Sequence, residues 1–235
     1  MAQLQRITIA PSQLQEHQIL LTPQQQHYLK RVLRLREGEQ FIAMDGLGKW
    51  WLAQINAEQA QVLEPLIVAT ELPVAITLMM ALPKGSGFDE VVRSCTELGV
   101  ACIAPVLSDR TLLNPSPQKL ERWQRIAAEA AEQSERAFVP TILEPVTFKE
   151  AVTHSTATHR YICEARGEYS HLQSMINCIS GDVVIATGPE GGWTDREIED
   201  AIAAGFQPVS LGRRIFRAVT APIVALSLIS AACEV

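Results

Sequence analysis

Along this chain of 235 residues the spacing of hydrophobic positions changes once, near residue 70. Before that point apolar residues come in short runs closed by turn residues. Arg6–Ala10 (RITIA), Glu39–Gly46 (EQFIAMDG) and Gln59–Val68 (QAQVLEPLIV) predict strands, and MDGLGKWWLAQI predicts two strands joined at an Asp45-Gly46 turn. One helix interrupts them. In TPQQQHYLKRVLRL, Thr22 is placed as N-cap, Pro23 takes the first helical position and Gln25 completes a capping box. Tyr28, Leu29, Val32, Leu33 and Leu35 supply its apolar face, leaving Lys30, Arg31, Arg34 and Arg36 to project outward.

A linker is predicted at residues 69–74, and beyond it strand and helix patterns alternate. Strands are predicted at AITLMMAL, ACIAPVL, RYICEA, GDVVIATG and QPVSLG. Helices are predicted at SGFDEVVRSCTELGV (Ser86 as cap, Asp89 three residues on, Gly99 at the end), SPQKLERWQRIAAEAAEQSERA, TFKEAV, SHLQSMIN and TDREIEDAIAAGF. The last of these carries a Thr194/Glu197 capping box and ends at Gly205. Such alternation implies α/β architecture, with a parallel sheet covered on both faces. The expected organisation is a β-rich module over residues 1–70 and an α/β domain over residues 71–235. The final helix, PIVALSLISAAC, is apolar nearly all round, so it is expected to be buried on most sides, within the fold and against a second subunit.

Composition narrows the classes. The chain starts without a basic segment leading into an apolar run, and its longest apolar stretch, Ala218–Cys233, is short for a membrane span and contains Pro222. A soluble, cytoplasmic protein is expected. Cys95, Cys102, Cys163, Cys178 and Cys233 show no C-x-x-C spacing and lie among apolar residues, so buried thiols are expected, with no metal site. The net charge of −6 argues against a nucleic-acid partner until its distribution is considered. Residues 1–70 carry six Lys/Arg and six Asp/Glu, and the remaining 165 carry fourteen and twenty. Lys30, Arg31, Arg34 and Arg36 fall within seven residues, and local density matters because salt screens charge within about 8–10 Å.

Two glycine-bearing loops follow successive strands: VVIATGPEGGW, and then VSLGRRIFRAVTAP. Ligands of parallel sheets bind beyond the carboxyl ends of strands, where both loops fall. Gly188, Gly191 and Gly192 let a ligand touch backbone. GPEGGW matches neither the dinucleotide fingerprint nor the phosphate loop, and Glu190 would repel a phosphate. A neutral or cationic ligand held by amides fits better, and S-adenosylmethionine is one.

The residues GPEGGWTDREIEDAIAAGFQPVSLGRRIFRAVTAPIVALSLI resemble the C-terminal signature of the ribosomal RNA uridine-N3 methyltransferase family of the SPOUT superfamily. LPKG…TELGV…IAPV…DR (Leu82–Arg110), KLERWQRIAAEAAEQSER (Lys119–Arg136) and HYLKRVLRLREGEQFIAMDG also resemble that family, so the resemblance spans nearly the whole chain. It implies a PUA-like RNA-binding β-barrel, followed by a SPOUT-type parallel sheet with a C-terminal trefoil knot. It further implies a homodimer that methylates N3 of one uridine in the decoding region of 16S rRNA, within the small ribosomal subunit. Val219 stands where members often have glutamate, and Gly87 and Ser94 stand where basic residues are common.

Under this resemblance the cofactor pocket comprises Thr187, Gly188, Pro189, Glu190, Gly191, Gly192, Leu211, Gly212, Ile215, Phe216 and Arg217. Arg217 is the candidate for stabilising charge on the uracil, and Glu190 is the candidate base or sulfonium partner. Arg213 and Arg214, with Lys30, Arg31, Arg34 and Arg36, are candidate RNA contacts. Three other readings stand beside it: an RNA-binding module without catalysis, a related knotted methyltransferase acting on another RNA, and a nicotinamide-dependent dehydrogenase. The last lacks an early glycine fingerprint.

Overall fold

The computed structural model describes residues 4–111, 115–177 and 179–234. The chain divides into two units, Met1–Glu71 with Ala131–Val139, and Leu72–Ala130 with Pro140–Val235.

In the first unit, six strands form one sheet: β1 (Arg6–Thr8), β2 (Leu14–Gln15), β3 (Gln18–Leu20), β4 (Gln40–Met44), β5 (Trp50–Asn56) and β6 (Gln59–Leu66). Their order is β1-β4-β5-β6-β3-β2. The β1–β4 pair is parallel and the others are antiparallel. Ile7, Ile19, Leu29, Phe41, Ala53 and Ile55 pack as its core. Strands β2 and β3 were not expected, being too short to show alternation.

Helix α1 (Pro23–His27) starts as predicted. Gln25 N–H donates to Thr22 Oγ1, and Thr22 N–H donates to Gln25 Oε1. It then widens into a π-helical turn, Tyr28–Val32, and the chain leaves through Arg34 at φ +58°. Most of the expected apolar face still packs: Leu29 is buried in the core and Tyr28, Leu33 and Leu35 lie against it, whereas Val32 is 57% exposed. Lys30 is also not simply projecting, since its Nζ donates to Ala57 O at 2.6 Å.

Residues 131–139 join this unit through specific bonds. Gly48 N–H donates to Ala137 O and Val139 N–H to Gly46 O. Thr8 N–H donates to Glu132, Arg6 pairs with Glu135, and buried Arg136 pairs with Glu71. The long predicted helix accordingly stops early, α3 running Pro117–Gln133, with Glu135 at φ +61°.

The second unit holds an all-parallel sheet of β7 (Ile76–Ala81), β8 (Cys102–Leu107), β9 (Thr141–Ile142), β10 (Val146–Thr147), β11 (His159–Cys163), β12 (Val183–Thr187) and β13 (Gln207–Val209). The order is β10-β8-β7-β12-β11-β13, with β9 beside β8. All five residues of β12 are buried, as a strand covered on both faces requires. Val184 and Ala186 face a cluster with Phe148, Trp193 and Phe206.

Its helices are α2 (Gly87–Glu97), α4 (Phe148–Thr153), α5 (Leu172–Met175), α6 (Asp195–Ala203) and α7 (Thr220–Cys233). At α6 the Thr194/Glu197 capping box forms. At α2 the Ser86 side chain makes no cap hydrogen bond. Asp89, placed three residues on, instead accepts from Arg122 and Trp123 Nε1. Helix α7 packs on α2, α5 and β12. Within this one copy Ala225, Leu226 and Ile229 are buried, Ile223, Val224 and Leu228 are half-buried, and Ala231 and Ala232 are exposed. Among the described residues no helix is long and apolar enough to cross a membrane. Of the cysteines only Cys95 is fully buried; Cys102, Cys163 and Cys233 are half-buried, and Cys178 lies outside the described residues.

Candidate functional site

Strand order reverses around β12: β7 and β8 lie on one side, β11 and β13 on the other. Ligands of open parallel sheets bind at such a switch, beyond the carboxyl ends. A cleft of about 1130 Å³ opens there. Three loops wall it: Cys163–Arg166 with Tyr169 after β11, Gly188–Trp193 after β12, and Leu211–Val219 after β13.

The structure brings most of the candidates together. Gly188, Pro189, Glu190, Gly191, Gly192, Leu211, Gly212, Arg214, Ile215, Phe216 and Arg217 line the cleft. Thr187 does not: it is fully buried at the end of β12, and its hydroxyl has no hydrogen-bond partner among the described residues. Arg213 is exposed outside the lining. Lys30, Arg31, Arg34 and Arg36 are exposed on the first unit.

The loop after β12 is held by its own side chains. Gly192 N–H donates to Pro189 O, closing a turn, with Gly192 at φ +71°. Trp193 stacks on Phe148 at 4.2 Å and donates from Nε1 to Cys163 O. A Cβ on Gly188 would lie 3.2 Å from the Trp193 ring, so this glycine admits the tryptophan as well as opening backbone to the cleft. From the loop after β8, Arg110 donates to Gly191 O and Trp193 O. The Glu190 carboxylate accepts the Lys84 N–H at 2.9 Å. One oxygen of the candidate base is thus engaged in joining loops.

The loop after β13 has fewer ties. Gly212, at φ +125°, donates its N–H to Ser210 Oγ. Ile215 is 70% exposed, and Arg213, Arg214 and Arg217 are exposed. The Arg217 carbonyl accepts the Thr220 and Ala221 N–H groups where α7 begins. Gly87 and Val219 touch: a Cβ on Gly87 would lie 2.6 Å from Val219 Cγ1.

Charge in the cleft is mixed. Arg110, Arg166, Arg214 and Arg217 stand against Glu164, Glu190, Asp195 and Glu199. Burial, with the Glu164 charge second, pushes the Cys163 thiol up to about 12, so it is protonated at neutral pH. Sequence reasoning missed Arg110, Glu164, Arg166 and Tyr169 as cleft residues. The signal for three of these was the carboxyl end of β11, which abuts β12.

The family model for an RNA methyltransferase domain matches residues 70–230, and that for an RNA methyltransferase PUA domain matches residues 21–64. The chain is 51% identical to ribosomal RNA small subunit methyltransferase E of Synechocystis, over 97% of this chain and 78% of that one. Among solved structures it is similar to a Neisseria gonorrhoeae ribosomal RNA small subunit methyltransferase E bound to S-adenosyl methionine (33% identity, TM-score 0.88, 97% of this chain and 98% of that one). It is also similar to a Legionella pneumophila methyltransferase in complex with the same cofactor (30% identity, TM-score 0.87, 98% of each chain).

Proposed function

This chain belongs to the ribosomal RNA small subunit methyltransferase E family, and on that premise we propose that it methylates N3 of one uridine in the decoding region of 16S rRNA. The observation that carries this reading is the cleft across β11, β12 and β13, walled by two glycine loops and sharing its lining between arginines and carboxylates. S-adenosylmethionine, when bound, supplies a methyl group carried on positively charged sulfur. The cleft fits that group: backbone is open at Gly192 and Gly212, Leu211, Ile215 and Phe216 offer apolar surface, and Glu164, Glu190, Asp195 and Glu199 balance the four arginines. These glycines and apolar residues, with Gly188, Pro189 and Gly191, are proposed to hold it.

Uridine N3 attacks only after losing its proton, and each pKa unit by which the site lowers that cost is worth about 1.4 kcal/mol. Negative charge on N3 spreads to O2 and O4. The Arg217 guanidinium, exposed at the cleft, is placed to stabilise it. Arg213 and Arg214 meet rRNA phosphates, and Arg31, Arg34 and Arg36 do the same from the PUA-like domain. Lys30, tied to Ala57 O, contributes charge from a fixed position. The target base leaves its stack, because pairing hides N3.

The active form is proposed to be a cytoplasmic homodimer acting on the small ribosomal subunit. The half-buried apolar side of α7 and exposed Ile215 support a second copy. A C-terminal trefoil knot is proposed with it, as the family resemblance implies. The test incubates the protein, methyl-labelled S-adenosylmethionine and small subunits from a strain lacking the modification, then maps the label. Label on one uridine N3 of 16S rRNA is expected. Label on a ribose or on tRNA would transfer the reading to another RNA methyltransferase, and binding without transfer would make the chain an RNA-binding module.

A further inference from the structure

Two contacts run from the glycine loops to a single short segment, the connection between β7 and α2. From the loop after β12, Glu190 Oε1 accepts the Lys84 N–H at 2.9 Å. From the loop after β13, Val219 Cγ1 fills the place a side chain on Gly87 would need, 2.6 Å from a Cβ there. The loops belong to different strand-helix units, yet both meet residues 84–87.

We infer that residues 84–87 are a strap that sets the spacing of the two cofactor loops, with Glu190 a positioning residue acting through the Lys84 amide. The inference rests on the cleft being the S-adenosylmethionine site. A carboxylate receiving an N–H makes a charge-assisted bond, which holds a loop better than a neutral one. Gly87 opens α2, where glycine is a poor choice for helix stability and alanine a good one. Its presence is accounted for by Val219, because a Cβ 2.6 Å from Val219 Cγ1 fits only if the valine leaves its rotamer or one loop moves. The strap thus has one polar and one steric point. Loss of either lets a loop drift and weakens cofactor binding before it harms folding. Proton removal from the uridine is then left to groups other than Glu190.

The experiment measures S-adenosylmethionine binding by calorimetry, with kcat, KM and pH profile, on the full chain. The wild type must bind first; if it does not, the cleft assignment itself fails and the strap falls with it. If it binds, Gly87→Ala is expected to weaken binding about tenfold without lowering the thermal midpoint, and adding Val219→Ala to restore it towards the Val219→Ala level. Glu190→Ala is expected to raise KM for the cofactor about tenfold, the effect of losing one hydrogen bond to a charged group. Glu190→Gln should recover most of that loss, because its amide oxygen still accepts the Lys84 N–H, and should keep the wild-type pH profile. A wild-type affinity in Gly87→Ala would overturn the steric point. A Glu190→Gln variant as impaired as Glu190→Ala, with a limb of the pH profile gone, would make Glu190 the proton acceptor instead.

Discussion

The loops after β12 and β13 both carry glycines and both face one cleft, yet they are built in opposite ways. The first is tied at almost every residue: a turn closed by Gly192, two carbonyls gripped by Arg110, Trp193 stacked on Phe148, and Glu190 on the Lys84 amide. The second is tied at its ends, by Ser210 to Gly212 and by the first turn of α7, and leaves Ile215 and three arginines exposed between. A tied loop offers backbone dipoles already aimed, which is what stabilising a bound cation or a developing charge requires. An open loop keeps its arginines available for a large partner, at the cost of ordering them on binding. The division suits a methyltransferase, whose small cofactor needs a fixed cradle and whose RNA substrate arrives from solvent.

Substitutions that separate the loops test this contrast. Trp193→Ala should have the largest effect on the tied loop, removing a buried stacked ring at a cost of about 3–5 kcal/mol, visible in chemical denaturation. Arg217→Ala on the open loop should leave stability and cofactor affinity near wild type and lower kcat roughly 10²–10³-fold, measured under single turnover. Arg110→Ala releases the Gly191 and Trp193 carbonyls and should weaken cofactor binding by about 1.5–3 kcal/mol in calorimetry. Gly212→Ala forces a side chain into φ +125° and should cost about 1–2 kcal/mol, shared between folding and cofactor binding. If Gly212→Ala outweighed Arg110→Ala in cofactor affinity, the roles given to the loops would be reversed.

The smallest effect lies away from both loops. Burial raises the Cys95 thiol from 9.0 to about 12. The native thiol therefore stays neutral while the unfolded one ionises near pH 9. Stability should hold below pH 9 and decline from there towards pH 12, by roughly 1 kcal/mol at pH 10. Denaturation midpoints at pH 8 and 10, compared with Cys95→Ala, check it.

Features encoded by near neighbours were legible in the sequence. The capping boxes at Thr22 and Thr194 each need two residues three apart, and both form, whereas the one expected at Thr147 in TFKEAV forms only its Glu150 N–H to hydroxyl half. The parallel sheet followed from alternating patterns, and the glycine loops from their place after strands. What escaped depends on partners far along the chain. Arg110 meets Gly191 81 residues away, and Gly87 meets Val219 across most of the second unit. Ser86 looked like a cap, but Asp89 turned to Arg122 and Trp123 on α3. The predicted helix ran on to Ala137, but it ends at Gln133, and the pairing of Ala137 and Val139 with Gly48 and Gly46 overrode the helical propensity of its last turn. Local propensity sums small terms, and one long-range pair of bonds outweighs them.

The most direct measurement is a crystal structure of this protein grown with S-adenosylmethionine. The account predicts the adenosyl group between the Gly188–Gly192 and Leu211–Phe216 loops, bonded mainly to main-chain atoms, with the sulfonium methyl open towards Arg217. An empty cleft with the cofactor bound elsewhere, or a cofactor held there chiefly by arginine side chains, would contradict it.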